Sequence, residues 1–175
     1  MTAVETTPVV AEQTRVAEDT LREVEDLLRS IEDADLHRAD PNGGWTGAII
    51  VTHMTMGGLL WIADIQRLIA DPDLDFFYRE EIGHDVVGAV PPTAAEAADK
   101  IASLRRTLVT TMPTHTEDVL RREVEIATLG RRTVADWLPV IIGHLVHHRD
   151  QLHDVLRSRG KLPARFDRTG TGSEA

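Results

Sequence analysis

The chain contains no cysteine among its 175 residues, and this absence narrows the chemistry available to it. Disulfide bonds, a thiolate nucleophile and every thiolate metal ligand are excluded. Any metal ion would therefore be held by imidazole and carboxylate groups. The lack of cysteine does not by itself identify a cellular compartment.

Long apolar runs and positive charge are also scarce. No segment approaches the roughly 20 consecutive apolar residues of a membrane span, and residues 1–10 lack the basic and apolar regions of a secretory signal. The chain has 19 basic and 29 acidic residues and a net charge of −10, which is unfavourable for binding nucleic-acid phosphates. We therefore expect a cytoplasmic protein that binds neither nucleic acid nor a membrane.

Helical periodicity accounts for most of the sequence, and no convincing long strand pattern is present. Thr93 and Thr133 each open a capping box, and Thr46 is a candidate N-cap. Pro139 predicts either a kink in the last helix or a later start near Pro139 itself. The predicted helices run from Val10 to about Leu36, from Thr46 to about Ala70, from Thr93 to before Pro113, and from Thr133 to before Gly160.

Two long connections, residues 71–92 and 114–133, separate these helices. The first carries several aromatic residues, as lids and binding rims often do. The second mixes apolar and charged residues and allows short extended pieces. The sequence predicts an all-α four-helix bundle with crossover connections. It forms one domain, residues 1–160, followed by a C-terminal tail, residues 161–175, that we expect to be disordered.

The segment from Ile141 to Leu152 contains the first candidate for a functional site. His144 and His148 lie four residues apart on a predicted helix, so their rings are about 40° apart around the axis and about 6 Å apart along it. One ion can bridge such a pair. Gln151 shares their otherwise apolar stripe. The alternative is a pair of core His satisfied by hydrogen bonds, because zinc normally has at least three protein ligands.

A third imidazole is expected from the second helix. His53 is the only other His on the apolar face of a predicted helix, whereas His37 lies near a helix end and His84 and His115 lie in predicted loops. Asp64 lies further along the face that carries His53 and is a weaker candidate for a residue of the functional site. We interpret it as a solvated charge near the helix end.

The order of several short motifs resembles that of the DinB-like superfamily. They are, in chain order, Gly44-Trp45-Thr46, His53, Gly130-Arg131-Arg132-Thr133-Val134, His144-x3-His148-x2-Gln151 and Leu156-x3-Gly160. Each motif is weak alone, so their joint order carries the resemblance, which spans about Trp45 to Gly160. The superfamily consists of small metal-binding bundles and includes bacillithiol- and mycothiol-dependent S-transferases and maleylpyruvate isomerase.

The resemblance implies that His53, His144 and His148 bind one divalent ion, usually zinc or nickel in this family, within a DinB-like bundle that is often a homodimer. Some mycothiol-linked relatives have Glu where this chain has His144, so the chain is more similar to the branch with three His ligands. Asp150 departs from the family pattern, because many relatives carry Gly there.

Three neutral imidazoles leave the charge of an ion uncancelled and at least one position open, as in catalytic zinc sites. A thiol bound at that position loses its proton near neutral pH. Because the chain lacks cysteine, the thiol would be a cosubstrate, which the resemblance identifies as mycothiol or bacillithiol. This predicts a metal-dependent transferase that delivers the thiol to a small electrophilic substrate. Gln151 would orient the incoming group or hydrogen-bond to a ligand His.

Two other functions fit the same residues. A metal-dependent hydrolase or isomerase would act on a small molecule without a thiol. A metal-binding stress protein would show no turnover. A pocket beside the ion favours an enzyme, whereas a side chain that blocks the open position favours the structural role.

Overall fold

Four long helices form a bundle in the computed structural model, which describes residues 6–39, 44–77, 90–126 and 129–167. The predicted all-α four-helix bundle is confirmed. Its long helices are α1 (Pro8–Leu28), α3 (Gly47–Ala70), α4 (Ala94–Thr111) and α6 (Val134–Arg157). Two short helices lie between them, α2 (Asp33–His37) and α5 (Glu117–Leu120).

The four long helices pack in an order that differs from their order in the chain. Helix α1 packs against α4 and α6, and α3 packs against the same two helices. Around the bundle the order is therefore α1, α4, α3, α6. The connections from α1 to α3 and from α4 to α6 each join helices on opposite corners, so the predicted crossovers are present.

Three of the long helices begin at the threonines that the sequence indicates. The side-chain oxygens of Thr46, Thr93 and Thr133 each accept a hydrogen bond from the backbone N–H three residues later. Such caps satisfy donors that the helix itself leaves unpaired. Helix α6 starts at Val134 and continues through Pro139, so the alternative of a start near Pro139 is wrong. The proline removes one backbone hydrogen bond near the N-terminal end of the helix.

The prediction of one helix from Val10 to about Leu36 is wrong. Helix α1 ends at Leu28, and the chain turns before α2 begins. The hydroxyl of Ser30 donates to the carbonyl of Leu27 at 2.7 Å, a local hydrogen bond that competes with helix continuation. Leu36, which lies in α2, is completely buried, so the apolar pattern across the break reflects burial rather than one continuous helix.

A small sheet occupies parts of the two long connections. It contains β1 (Phe76–Phe77), β2 (Glu123–Ile126) and β3 (Gly130–Thr133), with β2 in the middle. Strand β1 is parallel to β2, and β2 is antiparallel to β3. The short extended pieces allowed by the sequence are therefore present. Residues 78–89 of the first connection, whose aromatic residues are typical of lids and binding rims, lie outside the described residues.

The chain continues to pack after α6 ends at Arg157. Gly160 adopts φ +64°, a conformation that favours glycine at the end of a helix. A short 3-10 helix, Ala164–Phe166, follows, and the Phe166 ring lies 6.1 Å from that of His153. The folded part therefore extends to residue 167 instead of ending at 160. The rest of the predicted tail, residues 168–175, is outside the described part of the chain.

Helix α3 alone, among the described segments, has the length and hydropathy of a membrane span. Half of its most apolar window is buried within the protein. It packs between α4 and α6, so its apolar character is accounted for by its position in the bundle core.

Candidate metal centre

Three histidines from two neighbouring helices meet at one point in the bundle. The Nε2 atom of His144 lies 3.1 Å from Nε2 of His53 and 3.0 Å from Nε2 of His148. One ring nitrogen from each residue lies within 4.8 Å of the other two. The structure therefore brings together the His pair on α6 and the single His on α3 that the sequence singles out.

The hydrogen bond made by Gln151 defines the tautomer of His148. The Oε1 atom of Gln151 lies 2.7 Å from Nδ1 of His148, so Nδ1–H donates and the amide oxygen accepts. A neutral imidazole carries one N–H, which leaves a lone pair on Nε2, the nitrogen that faces His144. This is the arrangement of a metal-ligating His with its second nitrogen held by a neighbour.

The donor set fits a small divalent cation. The Nε2 atom of His144 carries either one proton or one lone pair, so a hydrogen bond accounts for only one of its contacts with the other two imidazoles at a time. Ligand nitrogens at about 2.0 to 2.1 Å from a tetrahedral zinc ion are about 3.3 Å apart. The two nitrogen separations of 3.0 and 3.1 Å are close to that value.

Burial of the triad favours the neutral form of imidazole, which is the form that binds a metal. His148 is only 5% exposed, and His53 and His144 are half-buried. Burial lowers the pKa of the His148 imidazole; the hydrogen bond to Gln151 opposes this shift, and the adjacent His147 adds to it. The neutral form that can bind a metal is therefore favoured.

Trp45 is a neighbour of the triad that the sequence patterns do not predict. Its ring centroid lies 4.8 Å from that of His53 and 5.7 Å from that of His148, with the latter pair stacked at 17°. The indole thus covers one side of two imidazoles and restricts their orientation. The available signal was an aromatic residue directly before the N-cap Thr46, at a position whose side chain often packs back onto the first turns of a helix.

The other polar candidates lie elsewhere. Within the described ranges, the triad is the group of side chains arranged to share one ion. Asp64 is 5% exposed and pairs with Arg67 at 3.6 Å, so its interpretation as a solvated charge is wrong. His37 contacts the carbonyl of Pro92, His115 contacts that of Met112, and His84 lies outside the described residues.

An apolar cleft lies beside the triad, between α3 and α6. Its volume is about 150 Å³, and its lining includes Gly57, Gly58, Leu129, Val140, His144 and Leu145. We refer to it as the α3–α6 cleft. A Cβ atom added to Gly57 would lie 3.7 Å from Cε1 of His144, so this ring forms part of the cleft wall.

Comparison with known proteins supports the architecture. The structure of YfiT from Bacillus subtilis, described as "a probable metal-dependent hydrolase with an unusual four-helix bundle topology", is similar with a TM-score of 0.71. The match has 15% sequence identity and covers 86% of this chain and 87% of that one, which shows a shared fold.

No curated protein sequence matches significantly. A family profile described as the DinB superfamily matches residues 17–152. Because that match spans well over half of the sequence, the chain belongs to the DinB superfamily.

Proposed function

We propose that the protein is a metal-dependent transferase that delivers a low-molecular-weight thiol, of the mycothiol or bacillithiol class, to a small electrophilic substrate. The observation that carries the proposal is the convergence of three imidazole nitrogens, from His53, His144 and His148, beside an open cleft. The absence of cysteine from the chain means that the thiol is a cosubstrate.

The three imidazoles would hold one divalent ion, zinc or nickel. When bound, such an ion supplies positive charge that lowers the pKa of a thiol at an open position. Gln151 keeps the Nε2 lone pair of His148 directed at the site. Trp45 packs against two of the rings and limits water access from that side.

The proposed reaction joins the thiol sulfur to an electrophilic carbon. The C–S bond forms while the bond to the leaving group breaks, and the leaving group departs with that electron pair. The thiol would lose its proton to solvent before this step, and the positive charge of an ion held by the three imidazoles would favour that loss. Holding the thiol and the electrophile in a fixed relative orientation beside the ion would account for part of the rate enhancement.

A metal-dependent hydrolase is the second candidate. The same three imidazoles would hold the ion, and water would replace the thiol as nucleophile. The description of YfiT as a probable hydrolase favours this alternative. The cleft beside His144 favours an enzyme over a purely structural metal, since a substrate needs space near the ion.

Metal analysis followed by assays with several thiols tests the proposal. The purified protein should contain about one equivalent of metal. After removal by a chelator and reloading with zinc or nickel, it should conjugate chlorodinitrobenzene to mycothiol or bacillithiol, and the metal-free protein should not.

Two results would separate the candidates. Hydrolysis of an activated ester by the metal-loaded protein, with no conjugate from any thiol, would replace the transferase by the hydrolase. Protein that neither contains nor takes up metal would refute both.

A further inference from the structure

We infer that the α3–α6 cleft binds an apolar group of aromatic size on the electrophilic substrate, and so selects apolar acceptors for the reaction. This inference deepens the proposed function and rests on it. It identifies the class of the second substrate, which neither the family nor the His triad specifies.

The cleft begins next to the proposed ligand atoms. The Cε1–Nδ1 edge of His144 faces Gly57, whereas its Nε2 atom faces His53 and His148. Cε1 is bonded to Nε2, so the cleft starts one covalent bond away from a ligand nitrogen. A group seated against this edge lies next to the proposed metal ligand His144.

Two adjacent glycines line the cleft, and only one is required by packing. Glycine inside a helix costs about 1 kcal/mol relative to alanine. A Cβ atom on Gly58 would lie 2.7 Å from Cδ1 of Leu104, which explains why this position has no side chain. A Cβ atom on Gly57 would make ordinary contact with His144 at 3.7 Å. The space left at Gly57 therefore belongs to the cleft rather than to a tight helix contact.

The lining determines the chemistry of the occupant. Apart from His144, the described side chains around the cleft are aliphatic, and none is charged. The volume is about 150 Å³, and an apolar cavity of about that size in another protein accommodates benzene. Val140 and Leu129, on the same cleft, are 42% and 54% exposed. Exposed apolar side chains around a concave site are typical of a surface that binds an apolar ligand.

Direct binding of toluene tests the cleft without any reaction. Toluene titrated into the zinc-loaded full chain should produce saturable shifts in the backbone amide NMR signals of Gly57, Gly58 and Leu145. The Val140→Asp variant should bind toluene about tenfold more weakly, because toluene would desolvate the new carboxylate. The matched control is Ile69→Asp on α3, which has the same 42% exposure but lies away from the cleft. It should bind toluene as the unmodified protein does.

Gly57→Ala provides a second variant that tests volume rather than charge. The added methyl group occupies cleft space and contacts His144 at an ordinary distance. Thermal stability should be retained or increased, since alanine is the better helix former, while toluene binding weakens. Retained stability with weaker binding would separate occupation of the cleft from damage to the fold.

Selectivity in the conjugation assay connects the cleft to the reaction. The unmodified protein should prefer benzyl bromide to bromoacetamide as acceptor, and Val140→Asp should reduce that preference about tenfold.

Conjugation with unchanged preference, or toluene shifts that never saturate, would overturn the cleft inference while leaving the transferase proposal intact. Saturable toluene binding without thiol conjugation would overturn the transferase and the cleft's role in it. A cleft that closes when two copies associate, shown by a dimer that Val140→Asp dissociates, would also overturn the inference.

Discussion

At the scale of single residues, Gln151 illustrates how one hydrogen bond can determine how well a histidine binds a metal ion. Its amide oxygen lies 2.7 Å from Nδ1 of His148 and accepts the hydrogen bond from Nδ1–H, which leaves Nε2 available to an ion. The Gln151→Leu substitution removes this acceptor. We expect zinc affinity to fall by about 10- to 100-fold, as is typical when the partner of a ligand His is lost. Competition with a chromophoric chelator measures the change.

The Gln151→Glu variant is the matched control. Its carboxylate can still accept from Nδ1–H of His148, so zinc affinity should stay within about threefold of the original value or increase. If Gln151→Leu binds zinc as tightly as the unmodified protein, the hydrogen bond seen in the structure does not support the site.

Removal of a proposed ligand separates a catalytic from a structural role for the metal. His148→Ala should abolish thiol transfer, because two imidazoles hold the ion too weakly to present an oriented thiol. The fold should survive, since the bundle is stabilised mainly by its buried apolar side chains. Circular dichroism melting and conjugate assays on the same sample measure both effects.

His147→Ala is the control for that substitution. His147 directly precedes His148 on α6, but it is exposed and lies outside the triad. It should retain metal and activity. If His148→Ala fails to fold and the unmodified protein shows no thiol transfer, the metal has a structural role instead.

At the scale of secondary-structure elements, Arg122 joins the start of β2 to the end of α3. Its guanidinium donates to the carbonyls of Leu68, Asp71, Pro72 and Leu74. The last carbonyls of a helix have no partners within the helix, so a side chain from elsewhere can satisfy them. A planar group with five N–H donors is suited to several carbonyls at once. This arrangement fixes the sheet against the helix that carries His53.

We predict that Arg122→Met destabilises the protein by about 2 to 3 kcal/mol, because charge-assisted hydrogen bonds are lost and carbonyls near the end of α3 lose their partner. Arg122→Lys should recover little, since a single ammonium cannot reach all four carbonyls. Urea denaturation measures the free energy of unfolding.

The control is the neighbouring Arg121→Met. Arg121 is 71% exposed and pairs with Glu117 four residues earlier on the surface. Pairs of this kind contribute about 0.3 to 0.5 kcal/mol, so the control should change stability little. Equal effects of the two substitutions would show that the bonds made by Arg122 do not stabilise the junction.

At the scale of the whole molecule, buried histidines make stability depend on pH. Burial lowers the pKa values of His115, His148 and His153 below their ordinary value. Backbone hydrogen bonds oppose the shift at His115, and Glu23 opposes it at His153. The unfolded chain protonates these residues at about pH 6.5. Below that pH the unfolded state binds more protons than the folded state, so acid favours unfolding.

We therefore predict that the metal-free protein has its full histidine-linked stability above about pH 6.5 and loses it as the pH falls through the lowered folded pKa values. Zinc should raise the melting temperature at neutral pH, and the increase should shrink towards acid because protonated imidazoles do not bind metal. Calorimetry with and without chelator tests both. A melting temperature that rises on acidification, or a zinc effect independent of pH, would contradict the prediction.

The features that could be predicted from the sequence are those set by neighbours within about one helical turn. The Thr46, Thr93 and Thr133 caps mark helix starts, because a cap contacts a backbone N–H three residues away. The spacing of His144 and His148 likewise places both rings on one face. These local rules failed at residues 29–32, where the chain turns and both the backbone N–H and the hydroxyl of Ser30 donate to the Leu27 carbonyl although the apolar pattern continues.

The sequence alone determined the three threonine-capped helices and the three candidate imidazoles, because periodicity and capping are local and because a buried stripe leaves few places for His53. Its two long connections allowed crossovers without specifying the helix neighbours. The tertiary structure decided which helices are neighbours and therefore what surrounds those imidazoles. The stacking of Trp45 on His148, the contact of Arg122 with α3 and the space between Gly57 and His144 join segments that lie far apart in the chain. Such contacts depend on how whole helices pack, since burial stabilises any apolar surface without specifying its partner.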